Sequence, residues 1–183
     1  MAEPNPEELY DQGKEILDFA VSGGGGTFRG DSLEAKKYYI QAKEYFEKAC
    51  NLNYAKGCVS LGGLFEGENL VIGENPRLKE RLKKAIQYYS KACDLNDKFG
   101  CSTLGAMQYI GKGVVKNEKQ AMEKFEKACK LGKQEACEMV TYKGLCELGH
   151  KEACEIFSLE VLCESSDQKA CGMSYDKKKA LGF

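Results

Sequence analysis

Ala85-Ile86-Gln87-Tyr88-Tyr89-Ser90-Lys91-Ala92-Cys93 is followed by Asp94-Leu95-Asn96 and, three residues later, by Gly100-Cys101-Ser102-Thr103-Leu104-Gly105. In the first stretch alanine, an aromatic ring, alanine and cysteine recur at intervals of three to four, an apolar stripe along one helix face with charged residues between. Two further stretches superimpose on it without gaps: Ala42-Lys43-Glu44-Tyr45-Phe46-Glu47-Lys48-Ala49-Cys50 and Ala121-Met122-Glu123-Lys124-Phe125-Glu126-Lys127-Ala128-Cys129. Such self-similarity marks a repeat architecture in which the rings fill the space between helices and the alanines let helices approach. These aromatics are therefore expected in the core.

The cysteines carry the second periodicity. Ten are present, at 50 and 58, 93 and 101, 129 and 137, 146 and 154, and 163 and 171, so C-x7-C occurs five times. Leu52, Leu95, Leu131 and Leu148 stand two positions after the first cysteine, with Ser165 in the fifth copy. Three positions after it stand Asn53, Asn96, Gly132, Gly149 and Ser166. Asn and Gly most readily enter the left-handed conformation that ends a helix. The residue before the second cysteine is small each time: Gly57, Gly100, Ala136, Ala153, Ala170. The unit reads helix, stop, short turn, helix, with one cysteine on each side of the corner. A disulfide requires Cα atoms within about 7 Å, which a tight corner provides. The expected bonds are Cys50–Cys58, Cys93–Cys101, Cys129–Cys137, Cys146–Cys154 and Cys163–Cys171. Closing one such loop contributes about 2.5 kcal/mol in the chain-entropy account.

Zinc is the competing use of paired cysteines. Its structural sites space ligands two to four residues apart and often add histidine; here the interval is longer, and His150 is the one histidine. C-x-x-C is absent, which argues against a thioredoxin-like motif and c-type haem attachment. No metal ligand and no cofactor site are assigned. Persistent disulfides imply an oxidising compartment, so the chain is expected to be secreted or periplasmic. It opens Met1-Ala2-Glu3-Pro4 without a signal peptide, which fits a mature start behind an added methionine.

With 27 basic and 28 acidic side chains, the net charge of −1 gives no general attraction to nucleic acid or anionic lipid. No apolar run approaches the roughly 18 residues of a membrane span.

The repeat period is uneven. It is 43 residues from Cys50 to Cys93 and 36 from Cys93 to Cys129, then 17 twice. The first unit therefore carries extra residues around Glu66 to Gly73. After Cys129 every corner is stapled instead of every second one, which reads as a tightened cap closing the array. One domain is expected over 1–183, with a first helix and glycine-rich insertion at 1–31, regular repeats at 32–137, and a shortened, densely stapled cap at 138–183. Glu7 to Ala20 reads as the first helix. Ser22-Gly23-Gly24-Gly25-Gly26-Thr27-Phe28-Arg29-Gly30 reads as a flexible insertion before a helix starting near Asp31 or Ser32. Its glycines lack the Gly-Lys-Ser/Thr ending of a phosphate loop. Asn75-Pro76 and Asn117 are helix-start signals. Gly111-Lys112-Gly113-Val114 is an exit loop, and Gly62 and Gly105 are expected to permit close helix contact.

The stretch from Ala85 to Val114, with A-x-x-Y-Y-x-K-A-C-x-L-N, G-C-x-x-L-G and G-x-G-V, resembles a Sel1-like repeat, a relative of the tetratricopeptide repeat. With its stapled corners the chain is similar to the Helicobacter cysteine-rich protein family. That resemblance implies an all-α, α/α superhelical solenoid of Sel1-like helix pairs, about four of them, with a disulfide at each corner. It further implies secretion and a concave groove that recognises a peptide or a host protein; the chain itself is expected to be a monomer. Members of the family have also been described as weak penicillin-binding proteins or β-lactamases, and disulfide-rich Sel1-like proteins serve as assembly factors in the mitochondrial intermembrane space. The familiar serine β-lactamase needs S-x-x-K with S-D-N and K-T-G. Ser166-Asp167-Gln168-Lys169 and Ser174-Tyr175-Asp176-Lys177 match the first element, and neither of the others occurs. No catalytic residue is assigned. His150 is expected in a solvated turn, Lys79, Arg81, Lys83 and Lys84 on a solvated helix face, and Lys177, Lys178 and Lys179 in a basic tail.

Overall fold

The computed structural model describes residues 4–67 and 78–183. The expected Asn75-Pro76 helix start, and the part of the first repeat's insertion beyond Gly67, lie outside the described residues. Every regular element among the described residues is helical, and they fall into two compact units, Met1–Gly100 and Cys101–Phe183.

In the first unit, α1 (Pro6–Val21) opens with Asn5 as its cap, Oδ1 accepting from Glu7 N at 2.9 Å, and Pro6 in the first turn, where its missing N–H costs nothing. A single glycine turn, α2 (Gly23–Gly26), leads to α3 (Leu33–Asn51), which Ser32 caps through Ala35 N. α4 (Ala55–Glu66) and α5 (Leu78–Asp94) follow, and α1 packs on α3, α3 on α4, and α4 on α5. The repeat stripe is the core: Ala42, Phe46 and Ala49 of α3 and Ala85 and Ala92 of α5 are fully buried, with Tyr89 almost so. Opposite Tyr89 lies Gly62, where a Cβ would stand 2.8 Å from the ring. The glycine is what lets α4 and α5 approach this closely.

α6 (Lys98–Ile110) carries the boundary between the units. The second unit continues with α7 (Glu118–Lys130), capped by Asn117, then α8 (Gln134–Glu147), α9 (Lys151–Glu164) and α10 (Gln168–Ala180). Its core gathers Ala106 from α6, Phe125 from α7, Met139 from α8, and Ile156, Phe157 and Val161 from α9. Gly105 sits where a Cβ would meet Phe125 at 3.0 Å.

All five corners are built alike. Asn53, Asn96, Gly132, Gly149 and Ser166 take φ values of 63°, 64°, 99°, 96° and 77°. In each, the next N–H reaches back to the carbonyl before the cysteine: Tyr54 to Ala49, Asp97 to Ala92 and Lys133 to Ala128 at 3.0 Å, His150 to Leu145 at 3.1 Å and Asp167 to Leu162 at 3.0 Å. With the left-handed residue's own N–H donating to the cysteine carbonyl at 2.9–3.0 Å, this pair is the Schellman ending, which satisfies the last helix carbonyls. It turns the chain so that the next helix starts beside the cysteine just passed. Cα atoms are 4.7 Å apart in Cys50–Cys58, Cys129–Cys137 and Cys163–Cys171, and 4.6 Å in Cys146–Cys154. Cys93 and Cys101 are disulfide-bonded as well, and no described cysteine is free.

Several expectations need correction. The segment after Ser22 is not a flexible insertion: Phe28 N donates to Gly23 O at 3.0 Å, and Tyr39 OH donates to Gly30 O at 3.0 Å. Phe28 stacks on Tyr38 at 5.8 Å, and this packing holds the turn on α3. The C-terminal helices are close to α7 in length. α8 and α9 have 14 residues each and α10 has 13, matching the 13 of α7 and below the 19 of α3 and 17 of α5; from α7 onward every connection is a three-residue corner. Arg81 does not lie on a solvated face. It is buried, and Nη1 donates to the Gly67 carbonyl beyond the end of α4. Two lysines of the basic tail are likewise engaged, Lys177 with Glu155, and Lys178 with Glu160 at 2.5 Å.

Candidate functional site

Rings and ammonium groups meet at the surface in each unit. In the first, Phe65 at the end of α4 stacks on Tyr88 of α5, with centroids 5.6 Å apart and planes 17° from parallel. Lys43 of α3 holds its Nζ 5.6 Å from the Phe65 centroid, and Lys84 of α5 holds its own at 5.3 Å. A cation from each of two helices thus lies within cation–π reach of the ring. The attraction is electrostatic, between ammonium and the negative face of the ring. Ile40, one turn before Lys43 on α3, is exposed beside it. Burial and then the Glu47 carboxylate push the Tyr88 phenol above its ordinary value. The next ring, Tyr89, is buried and donates to Glu66 Oε2 at 2.8 Å; burial first, then that carboxylate, raise it much further.

The second unit has a related cluster. Tyr109 of α6 meets Phe157 of α9 edge-on at 5.1 Å, and Lys143 of α8 reaches both rings, at 5.5 and 5.4 Å. This lysine is already hydrogen-bonded: Nζ donates to Tyr109 OH at 3.1 Å, the main cause of its raised pKa. Lys116, 6.0 Å from the Tyr109 centroid, is paired with Glu118 at 3.3 Å.

Beneath lies a buried polar network. Lys133 Nζ donates to Ser102 Oγ at 2.7 Å and pairs with Glu164 at 2.6 Å, while Ser102 donates to Glu164 at 3.0 Å. Lys112 Nζ donates to the Ser165 carbonyl at 2.9 Å. These bonds join α6 and the α7–α8 corner to the end of α9. On the far side, Glu160 accepts from Ser174 and Lys178, and Phe183 packs edge-on against Tyr142 at 5.9 Å. The two rings border a pocket of about 200 Å³ with Gln134, Cys137, Glu138, Thr141 and Leu145.

The residues weighed for catalysis are not brought together. Ser174 is buried on Glu160 while Lys177 turns to Glu155, so that serine–lysine pair is split. Ser166 and Lys169 are both exposed and share no hydrogen bond. His150 is exposed at the start of α9. Among the described residues, no group of three His, Cys, Asp or Glu could hold a metal ion. The ten cysteines sit at the corners as staples. The lysine–ring contacts and the Lys133–Glu164 pair were not read from the sequence, because each depends on which helices stack; the paired Tyr88-Tyr89 was its one local trace.

The Sel1 repeat family matches residues 22–54, 79–97 and 100–133. Among solved structures, Helicobacter pylori cysteine rich protein B is 37% identical over 73% of this chain and 96% of that one, with a TM-score of 0.47. A Sel1 repeat protein from Oxalobacter formigenes is 18% identical over 96% of this chain and 73% of that one, with a TM-score of 0.60, and shares the fold. The structure of c5321, a protective antigen of uropathogenic Escherichia coli strains, is 20% identical over 90% of this chain and 38% of that one, with a TM-score of 0.51. No curated protein matches.

Proposed function

Because this chain belongs to the family of disulfide-stapled Sel1-repeat cysteine-rich proteins, we propose that it is a secreted or periplasmic scaffold, monomeric, that binds a peptide or protein partner of a host in a groove between its helices. The observation that carries the reading is the set of corners. Each helix pair is fixed by a Schellman turn and a disulfide, so the surface that meets a partner is ordered before binding. Ordering costs are a large part of what association must overcome, and a pre-stiffened scaffold bears little of them. Disulfides in every repeat support an oxidising compartment. Among the described residues no helix is long and apolar enough to cross a membrane.

Selection from a displayed peptide library on the oxidised protein tests this reading. A recurring sequence class should emerge that the reduced protein no longer retains. Absence of any enrichment over an unrelated helical protein would remove the scaffold reading.

A further inference from the structure

Lys43 and Lys84 share one ring. Their ammonium groups come from two helices and converge within 6 Å of the centroid of one ring, Phe65. Among the described residues neither forms an ion pair or a hydrogen bond. In the second unit the corresponding cations are occupied, Lys143 by Tyr109 OH and Lys116 by Glu118. A ring face satisfies no N–H donor in the hydrogen-bonding sense, and each ammonium carries three. Each ammonium therefore keeps its charge and donors available to an anionic partner. Of the carboxylates in this region, Glu66 accepts from the Tyr89 hydroxyl and Glu47 acts on Tyr88. The floor below is apolar, with Phe65 buried and Ile40 exposed alongside. The arrangement suits carboxylates carried on a chain with apolar side chains, pairing with the two cations while their neighbours cover the floor.

We propose that the surface where Lys43 of α3 and Lys84 of α5 flank Phe65 is the docking point of an acidic peptide segment, carboxylates of which pair with the two ammonium groups. This rests on the scaffold reading and names the partner's chemistry and the face it uses. Because the recognition is largely ionic, affinity falls with salt.

The test is fluorescence anisotropy of the oxidised full chain with three labelled peptides of about ten residues, identical but for Glu, Gln or Lys at the charged positions, and alternating these with Leu and Tyr. The Glu peptide should bind at least about tenfold more tightly than the Gln peptide, as expected when a charge-assisted contact is lost. K43Q/K84Q should remove that preference, K143Q should keep it, and the double variant should retain the parent's intact mass and helical circular dichroism. If the double variant does not fold, K84Q alone, at an exposed side chain, should still cut the preference severalfold. Equal binding of Glu and Gln peptides, or a preference that survives K43Q/K84Q, would overturn the proposal while leaving the scaffold reading in place. Failure of all three peptides to bind overturns the proposal. The library selection then decides the scaffold reading separately.

Discussion

Lys133, in the corner between α7 and α8, sets its ammonium 2.6 Å from the carboxylate of Glu164 at the end of α9. Both side chains are nearly enclosed, 10% and 12% exposed. A buried pair broken on one side leaves a charge without water or partner, at about 3 kcal/mol or more. K133A and E164A should each lower unfolding stability by about that amount. K133M/E164L should recover most of the loss, because it leaves no orphaned charge. Guanidinium unfolding of the oxidised variants measures this. Single variants costing under about 1 kcal/mol would show that the pair contributes little.

Gly62 and Gly144 lie inside helices and should respond oppositely to alanine. At Gly62 the new methyl would stand 2.8 Å from the Tyr89 ring, and at Gly144 it meets nothing within 4 Å. Overpacking costs about 1–3 kcal/mol, which outweighs the helix-propensity gain of about 1 kcal/mol. G62A should therefore lower the thermal midpoint and G144A raise it. A stabilising G62A would mean that α4 and α5 have room to part.

Tyr89 should limit stability at alkaline pH. Its folded pKa lies above the unfolded value of 10.0, raised by burial and by Glu66. Below that value both states hold the proton and its stabilising effect is complete. Above it the unfolded chain ionises first, and stability falls by up to about 1.4 kcal/mol per pH unit. Y89F should be less stable at neutral pH by about 1 kcal/mol, for the lost bond to Glu66. Its fall between about pH 10 and 11 should be shallower than the parent's. Parallel slopes would place the alkaline transition elsewhere.

The staples should open in order. Cys50 and Cys58 are fully buried, whereas all six cysteines from Cys129 to Cys171 are partly exposed. Thiol–disulfide exchange needs access to sulfur. Under limiting reductant, alkylation and peptide mapping should find Cys129–Cys137, Cys146–Cys154 and Cys163–Cys171 opened before Cys50–Cys58. Simultaneous opening of all would indicate global unfolding as the route.

Ser166 holds φ at 77°, a region the other corners fill with Asn or Gly. S166G should raise stability by about 1 kcal/mol, the usual cost of a side chain in left-handed backbone. An unchanged denaturation midpoint would show that this corner bears no such strain.

What could be read from the sequence is what local spacing determines. The Asn and Gly positions placed the helix ends, and the cysteine interval placed the staples, because a Schellman corner and its disulfide are completed within about ten residues of chain. Asn117 and Ser32 gave helix starts for the same reason. Arg81 was misread because Lys79, Lys83 and Lys84 around it are exposed, and nothing nearby in sequence announces the Gly67 carbonyl it serves. Lys133 and Glu164 are 31 residues apart, and Lys43 and Lys84 converge on a ring from a third helix. Such meetings depend on how helices stack, which no single window of residues encodes. Phe28 shows the same limit: the glycines before it suggested freedom, and its stacking on Tyr38 of α3 removes it.

In each of the four bonds Cys50–Cys58, Cys129–Cys137, Cys146–Cys154 and Cys163–Cys171, the partners are eight positions apart. A thiol emerging during synthesis or export therefore has its proper partner as the next cysteine along the chain, ahead of those of later repeats. Oxidation can proceed corner by corner, with no need for the whole chain to collapse first and no dependence on reshuffling wrong bonds. A repeat can then be gained or lost in evolution without disturbing how the others are cross-linked, so the array can change length while its chemistry of maturation stays the same.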